Sequence, residues 1–225
     1  PRRPDAGHVG HFAGQAQEIV TAAALTPSGK ADSVAVFLGS NDVCAPDMAQ
    51  MTGLELFGQQ FEDGLDVLAS NDETRFAQIH VSGIPAIYWL WNAKHSNFWC
   101  QVFVWPFVPC ENLLDDPADD CESSVSREDP DNNDYAGDGD ACKRRKTFHA
   151  IVRDYNTKMR DKLEVYRANG SLPNARYIDI YDSRFESDHV NDGDCFHPST
   201  EGQVFLSETE WCRTHWGIGD PACSN

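Results

Sequence analysis

Val34-Ala35-Val36-Phe37-Leu38-Gly39-Ser40-Asn41-Asp42 is an apolar, β-rich run that stops at a glycine and then turns polar. Residues 34–39 read as a buried parallel strand, because such a strand is covered on both faces and loses the polar alternation of an exposed one. A polar side chain just past its end emerges at the carboxyl edge of the sheet, where open α/β sheets bind ligands. Two further stretches read as strands: 78–84 (Gln-Ile-His-Val-Ser-Gly-Ile) and 176–181 (Arg-Tyr-Ile-Asp-Ile-Tyr).

Helical patterns fall between them. Phe12, Ala16, Ile19, Val20 and Ala23 share one face of a helix before the first strand. Leu56, Phe61, Leu65 and Leu68 mark a second helix, and Phe148, Ile151, Val152, Tyr155, Met159, Leu163 and Tyr166 a long third one that stops near Asn169-Gly170. A last helix follows Pro198, with Ser199 as N-cap and Glu201 in its first turn. Such alternation predicts an α/β layered fold around a parallel sheet. Residues 1–225 read as one domain, interrupted at about 86–145 by a long insertion. Its first half is dense in aromatics, from Ile87-Tyr88-Trp89-Leu90-Trp91 through Phe98-Trp99 to Phe103-Val104-Trp105-Pro106-Phe107. Its second half, Asp115 to Asp140, is acidic and rich in turn formers. A loop of this length is expected to be functional or held by cross-links and ions.

Composition narrows the function. A chain of 225 residues with 40% hydrophobic content supports one well-buried core. Its formal charge of −18 argues against nucleic acid or an anionic membrane surface as partner. No run approaches the roughly 20 apolar residues of a membrane span. The chain opens Pro1-Arg2-Arg3-Pro4 without a methionine, which suggests that something upstream has been removed. Eight cysteines, with no metal-ligand spacing, favour disulfides and an oxidising compartment, secreted or periplasmic. Cys212 and Cys223 suit a C-terminal loop, and Cys110, Cys121 and Cys142 a staple within the insertion.

Near the C-terminus stands Asp194-Cys195-Phe196-His197-Pro198. Together with Gly39-Ser40-Asn41-Asp42 it resembles the third and fifth sequence blocks of the SGNH/GDSL hydrolases, a family of serine esterases and lipases. Asn41-Asp42-Val43-Cys44 is also similar to the acyloxyacyl hydrolases, lipid-directed members of that family. The resemblance implies a flavodoxin-like three-layer sandwich of five strands, two of which, with the first βα segment, would precede residue 1. It implies His197 as general base and acid, Asp194 as the group that orients it, and Asn41 as an oxyanion donor, with Asp42 organising the turn. The second block implies a further donor from a glycine backbone, for which Gly7 fits better than Gly10; His8 and His11 beside them read as ordinary loop residues.

The block that carries the nucleophile, Gly-Asp-Ser, appears nowhere in the chain. Ser33 opens a strand and Ser40 lies inside the asparagine motif, so neither occupies a nucleophile turn. The serine is therefore expected on an upstream segment, retained as a separate N-terminal fragment. The reaction expected is hydrolysis of an acyl ester without a catalytic cofactor. A carbohydrate acetylesterase of the same family is the alternative enzyme, and a non-catalytic calcium-binding secreted module the alternative outside catalysis. A metal-dependent hydrolase built on Asp188, His189, Asp192, Asp194 and His197 is a third reading, with poor spacing for zinc. Calcium enters through Asp129, Asp131, Asn133, Asp134, Asp138 and Asp140, an oxygen-rich run suited to a structural Ca²⁺.

Overall fold

The computed structural model describes residues 7–223, so the Pro1–Pro4 opening lies outside the described residues. Its elements are α1 (Phe12–Ala24), β1 (Ser33–Phe37), α2 (Ser40–Val43), α3 (Leu54–Ala69), β2 (Gln78–Ser82), α4 (Tyr88–Lys94), α5 (Glu111–Leu114), α6 (Ser124–Glu128), α7 (Asp140–Ala168), β3 (Ala175–Ile178) and α8 (Thr200–Trp211). The strands form one parallel sheet in the order β1-β2-β3, with Val36 opposite Val81 and Val81 opposite Tyr177. Parallel neighbours need crossovers, which α3 and then the insertion with α7 provide. This is the expected α/β class.

Each strand stops short of its apolar run for a local reason. Gly39 takes φ +100°, which ends β1 two residues after Phe37. Beyond β2, Asn156 of α7 captures the backbone of Ile84, donating to its carbonyl and accepting its amide at 2.7 Å each. After β3, Asp179 turns the chain by accepting from the Tyr181 amide at 3.0 Å.

One face of the sheet carries the core. Val34, Val36, Ile79 and Val81 join Phe12, Phe57, Phe61, Leu65, Val152, Tyr155 and Met159 in a single buried cluster. The stripe of α3 is Phe57, Phe61, Leu65 and Leu68, whereas Leu56 is 55% exposed, so the sequence pattern was one position out at its start. Gly64 lets α1 approach: a Cβ there would stand 2.1 Å from the Phe12 ring. The long helix ends as expected at Asn169 but begins at Asp140, inside the stretch assigned to the insertion.

The other face is polar and only partly covered. The register sets Ala35, His80 and Arg176 in one row. His80 Nε2 lies 2.9 Å from His215 Nδ1, and Trp216 meets the His80 ring edge-on. Burial and the neighbouring His215 lower the His80 pKa. Phe37, on the same face of β1, is 55% exposed.

All eight cysteines are paired: Cys44–Cys110, Cys100–Cys195, Cys121–Cys142 and Cys212–Cys223. The C-terminal loop is closed as expected. Cys110, however, reaches back to the turn after β1 instead of joining Cys121 and Cys142. The insertion is also not a bare loop: α4, α5, α6, the first turn of α7 and a π-helical turn at Cys100–Val104 structure it.

Candidate active site

Two loops hold the residues singled out from sequence. The first follows β1. Gly39 can hold its positive φ without a side-chain penalty, and a Cβ there would come within 2.8 Å of Ile84 Cδ1. The turn it makes presents Asn41 at the surface and buries Asp42, which is 3% exposed. A buried carboxylate needs donors. Asp42 Oδ2 accepts from the Val9 amide at 2.7 Å, and Oδ1 accepts from the Thr52 hydroxyl at 2.8 Å. The Asp42 carbonyl accepts from the Thr52 amide at 3.1 Å, and Tyr155 donates its hydroxyl to the Thr52 carbonyl.

Through these bonds the segment before α1 is pinned to the turn. The Gly39 amide donates to the Gly7 carbonyl at 2.9 Å. Asn41 Nδ2 then lies only 2.7 Å from where a Cβ on Gly7 would stand, so the absent side chain of Gly7 is what leaves room for the amide. The structure thus brings Gly7 and Asn41 together, two residues far apart in sequence. Gly10 lies elsewhere, against the side chain of Gln60. His8 is more than a loop residue: its Nδ1 approaches Asp42 Oδ1 to 3.6 Å. Thr52 carried no sequence signal, because only the fold reveals a hydroxyl ten residues on from Asp42.

The second loop spans 191–198 and precedes α8. Asp194 Oδ1 accepts from the amides of Phe196 at 3.0 Å and His197 at 2.9 Å, while Oδ2 meets His197 Nδ1 at 3.0 Å. Burial pushes the Asp194 pKa up, but the two amides and the imidazole outweigh it, and the net shift is down. The carboxylate is thus held as an anion beside a ring whose side chain is 72% exposed. No described residue engages the other ring nitrogen. An imidazole oriented in this way can take up and return a proton at that nitrogen.

The aromatic half of the insertion connects the two loops. Cys110 binds Cys44, three residues past Asn41, and Cys100 binds Cys195, two residues before His197. Between them Trp105 is buried and donates its indole N–H to the Cys195 carbonyl at 2.9 Å. Asn112 adds a further tie by donating to the Val43 carbonyl at 2.7 Å. The segment 100–112 therefore braces both loops, a role that composition alone did not reveal. Its aromatics divide sharply. Tyr88, Trp89, Trp91 and Trp105 are buried, whereas Phe98, Trp99, Phe103 and Phe107 are exposed.

Two carboxylates of the acidic run are held by partners within the chain. Asp138 is buried and bonded to Lys146 Nζ at 3.0 Å, the Ser126 hydroxyl at 2.6 Å and the Glu122 amide at 2.8 Å. Asp131 faces Arg153 at 2.5 Å. Among the described residues, the one group of three His, Cys, Asp or Glu ligand atoms within 4.8 Å is Cys121, Asp138 and Cys142, and its sulfurs are joined in a disulfide. Of the run Asp129, Asp131, Asn133, Asp134, Asp138 and Asp140, Asp131 and Asp138 thus have cationic partners from α7. Two residues of the metal-hydrolase set likewise have partners elsewhere in the chain. Asp192 pairs with Lys94 at 2.6 Å, and His189 stacks on Phe205 while accepting from the Glu186 amide.

Among the described residues no helix is long and apolar enough to cross a membrane. Comparison with curated proteins yields no match. The model of the GDSL-like Lipase/Acylhydrolase family matches residues 9–209, nearly the whole chain and both loops. With its parallel α/β sheet, this chain belongs to the GDSL-like lipase/acylhydrolase family.

Proposed function

We propose that this protein is a secreted serine hydrolase of acyl esters, with Asn41 and Gly7 as oxyanion donors and Asp194 and His197 as the acid–base pair. The observation that carries the reading is the pair Asp194–His197, a carboxylate locked by two amides against an imidazole open to solvent. The four disulfides support an extracellular setting. The nucleophile comes from a serine outside these 225 residues. Among the described residues β1 pairs only with β2, and Phe37 on it is 55% exposed, which supports a segment that packs there.

In this mechanism the serine hydroxyl attacks the ester carbonyl carbon and gives its proton to His197. The carbonyl π pair moves onto oxygen, and that oxyanion accepts from the Asn41 amide and the Gly7 N–H. Collapse breaks the bond to the alcohol, which leaves with the proton from His197. Water then gives a proton to His197 and attacks the acyl-enzyme carbonyl; collapse breaks the bond to serine, whose oxygen takes that proton back from His197 as the carboxylic acid is released. Asp194 holds the ring in one tautomer and stabilises the imidazolium.

The test uses the native protein and a fluorophosphonate probe, followed by denaturing mass spectrometry and peptide mapping. A label on a serine beyond these residues supports the reading, and the mass shows whether its segment is continuous with this chain or nicked from it. His197→Ala is expected to lower turnover of a short-chain ester by about 10⁶-fold with thermal stability unchanged. Near-normal turnover in that variant overturns the assignment.

A further inference from the structure

From Ser96 to Cys110 the chain carries no Asp, Glu, Lys or Arg, although the whole protein has a formal charge of −18. Within that stretch Phe98, Trp99, Val102, Phe103 and Phe107 are 45–84% exposed, five of the fifteen exposed large hydrophobic side chains among the described residues. The other ten are scattered from Leu25 to Ile218. Phe98 and Trp99 both pack on Phe103, with ring centroids 6.2 and 5.0 Å apart, so the cluster is continuous at its centre. Apolar clusters of this kind on soluble proteins mark interaction surfaces.

The exposure is fixed by covalent and buried anchors. Cys100, Trp105 and Cys110 alternate with the exposed side chains and tie the segment to Cys195 and Cys44. The rings cannot fold inward without breaking those ties, and the ties set the patch beside the Asn41 turn and the His197 loop.

The chemistry of the patch identifies its occupant. Phe and Trp partition to the boundary between water and acyl chains. Val102, Val104 and Val108 lie among them and offer no donors. Of the two amide side chains, Asn97 Oδ1 accepts from the backbone of Trp99 and Cys100, and Gln101 donates to the His95 carbonyl. Sugar hydroxyls would find few partners here. A surface of net negative charge is disfavoured by the −18 of the chain.

We propose that Phe98, Trp99, Val102, Phe103 and Phe107 dock the protein on a lipid–water interface of zero net charge, with its two candidate catalytic loops facing that surface. The substrate would then be an ester held in a lipid aggregate; that consequence rests on the hydrolase reading, whereas the docking does not.

The test is co-sedimentation of the native, probe-blocked protein with phosphatidylcholine vesicles, with tryptophan emission as a second readout. Blocking removes turnover from the measurement, so failure of docking is separable from failure of the hydrolase reading. Expected are binding to phosphatidylcholine, weaker binding when phosphatidylglycerol is added, and a loss of partitioning of about tenfold or more in the Phe98→Ser, Phe103→Ser, Phe107→Ser variant. The melting temperature of that variant and its turnover of a water-soluble ester should be unchanged. Absence of vesicle binding overturns the proposal, as does equal binding by the triple variant. Dimerisation abolished by the triple variant, or retention on an insoluble neutral polysaccharide without vesicle binding, replaces it with another occupant.

Discussion

Asp42 and Asp194 each organise one of the two loops, and they do so by opposite means. Asp42 is buried, and its carboxylate accepts from Val9 and Thr52, residues 33 and 10 positions away. Asp194 is half-exposed and accepts only from residues two and three positions ahead of it. The turn bearing Asn41 is therefore built by tertiary structure, and the loop bearing His197 by local hydrogen bonds. An oxyanion donor must be fixed before charge develops. A ring that takes and returns a proton must stay open to substrate and water. Each loop is in addition tied to the segment 100–112 by one disulfide and one side-chain hydrogen bond, from Asn112 to the first and from Trp105 to the second.

The largest effect expected from that contrast comes from releasing the exposed loop. Cys100→Ser with Cys195→Ser opens a closure spanning 95 residues, worth about 2–5 kcal/mol. Thermal unfolding should shift down accordingly, and under the proposed mechanism ester turnover should fall because the loop bearing His197 loses its covalent tie to the segment 100–112. An unchanged melting temperature would mean that the local hydrogen bonds and Trp105 suffice.

Next comes a separation of donor from scaffold within the buried turn. Under the proposed mechanism, Asn41→Ala removes one oxyanion donor and lowers kcat by about 10²–10³-fold. Its side chain is exposed, so the melting temperature should hold. Asp42→Ala should do the reverse in kind. It leaves the Val9 amide and the Thr52 hydroxyl without their acceptor in a buried place and costs about 1–3 kcal/mol of stability. Paired calorimetry and steady-state kinetics on the two variants test this; equal loss of stability in both would erase the distinction.

The same contrast explains what the sequence made legible. Strands, helix faces and the two motif loops were readable because each depends on local pattern: an apolar run ended by Gly39, a helical stripe, an Asp three residues before a His. Ser199 proved to be the N-cap of α8 for the same reason, its hydroxyl accepting from the Gly202 amide. What the sequence hid was tertiary. Thr52 and His8 matter only because the fold turns them onto Asp42. The pairing of Cys110 with Cys44 depends on a path through 66 residues that no spacing rule encodes. The partners of the acidic run were hidden for a related reason: Lys146 and Arg153, which pair with Asp138 and Asp131, come from α7, in the next segment.

The smallest effect separates the loops by pH. The Asp194 pKa lies below the ordinary carboxylate value in the folded chain, because amides and His197 overcome the opposing effect of burial. A carboxyl with a depressed folded pKa contributes stability above its unfolded pKa of about 3.9, and that contribution is lost as pH falls through the folded value. The contribution is modest, since the group is 44% exposed and water screens it. Asp194→Asn removes it at every pH. The melting temperatures of the parent and of this variant should therefore differ near neutrality and converge as the pH falls through the lowered folded-state pKa of Asp194. Convergence is expected because a protonated Asp194 holds the Phe196 and His197 amides no better than the asparagine does. No gap near neutrality would show that the loop is held without the Asp194 carboxylate, and that Asp194 serves the imidazole without serving the fold.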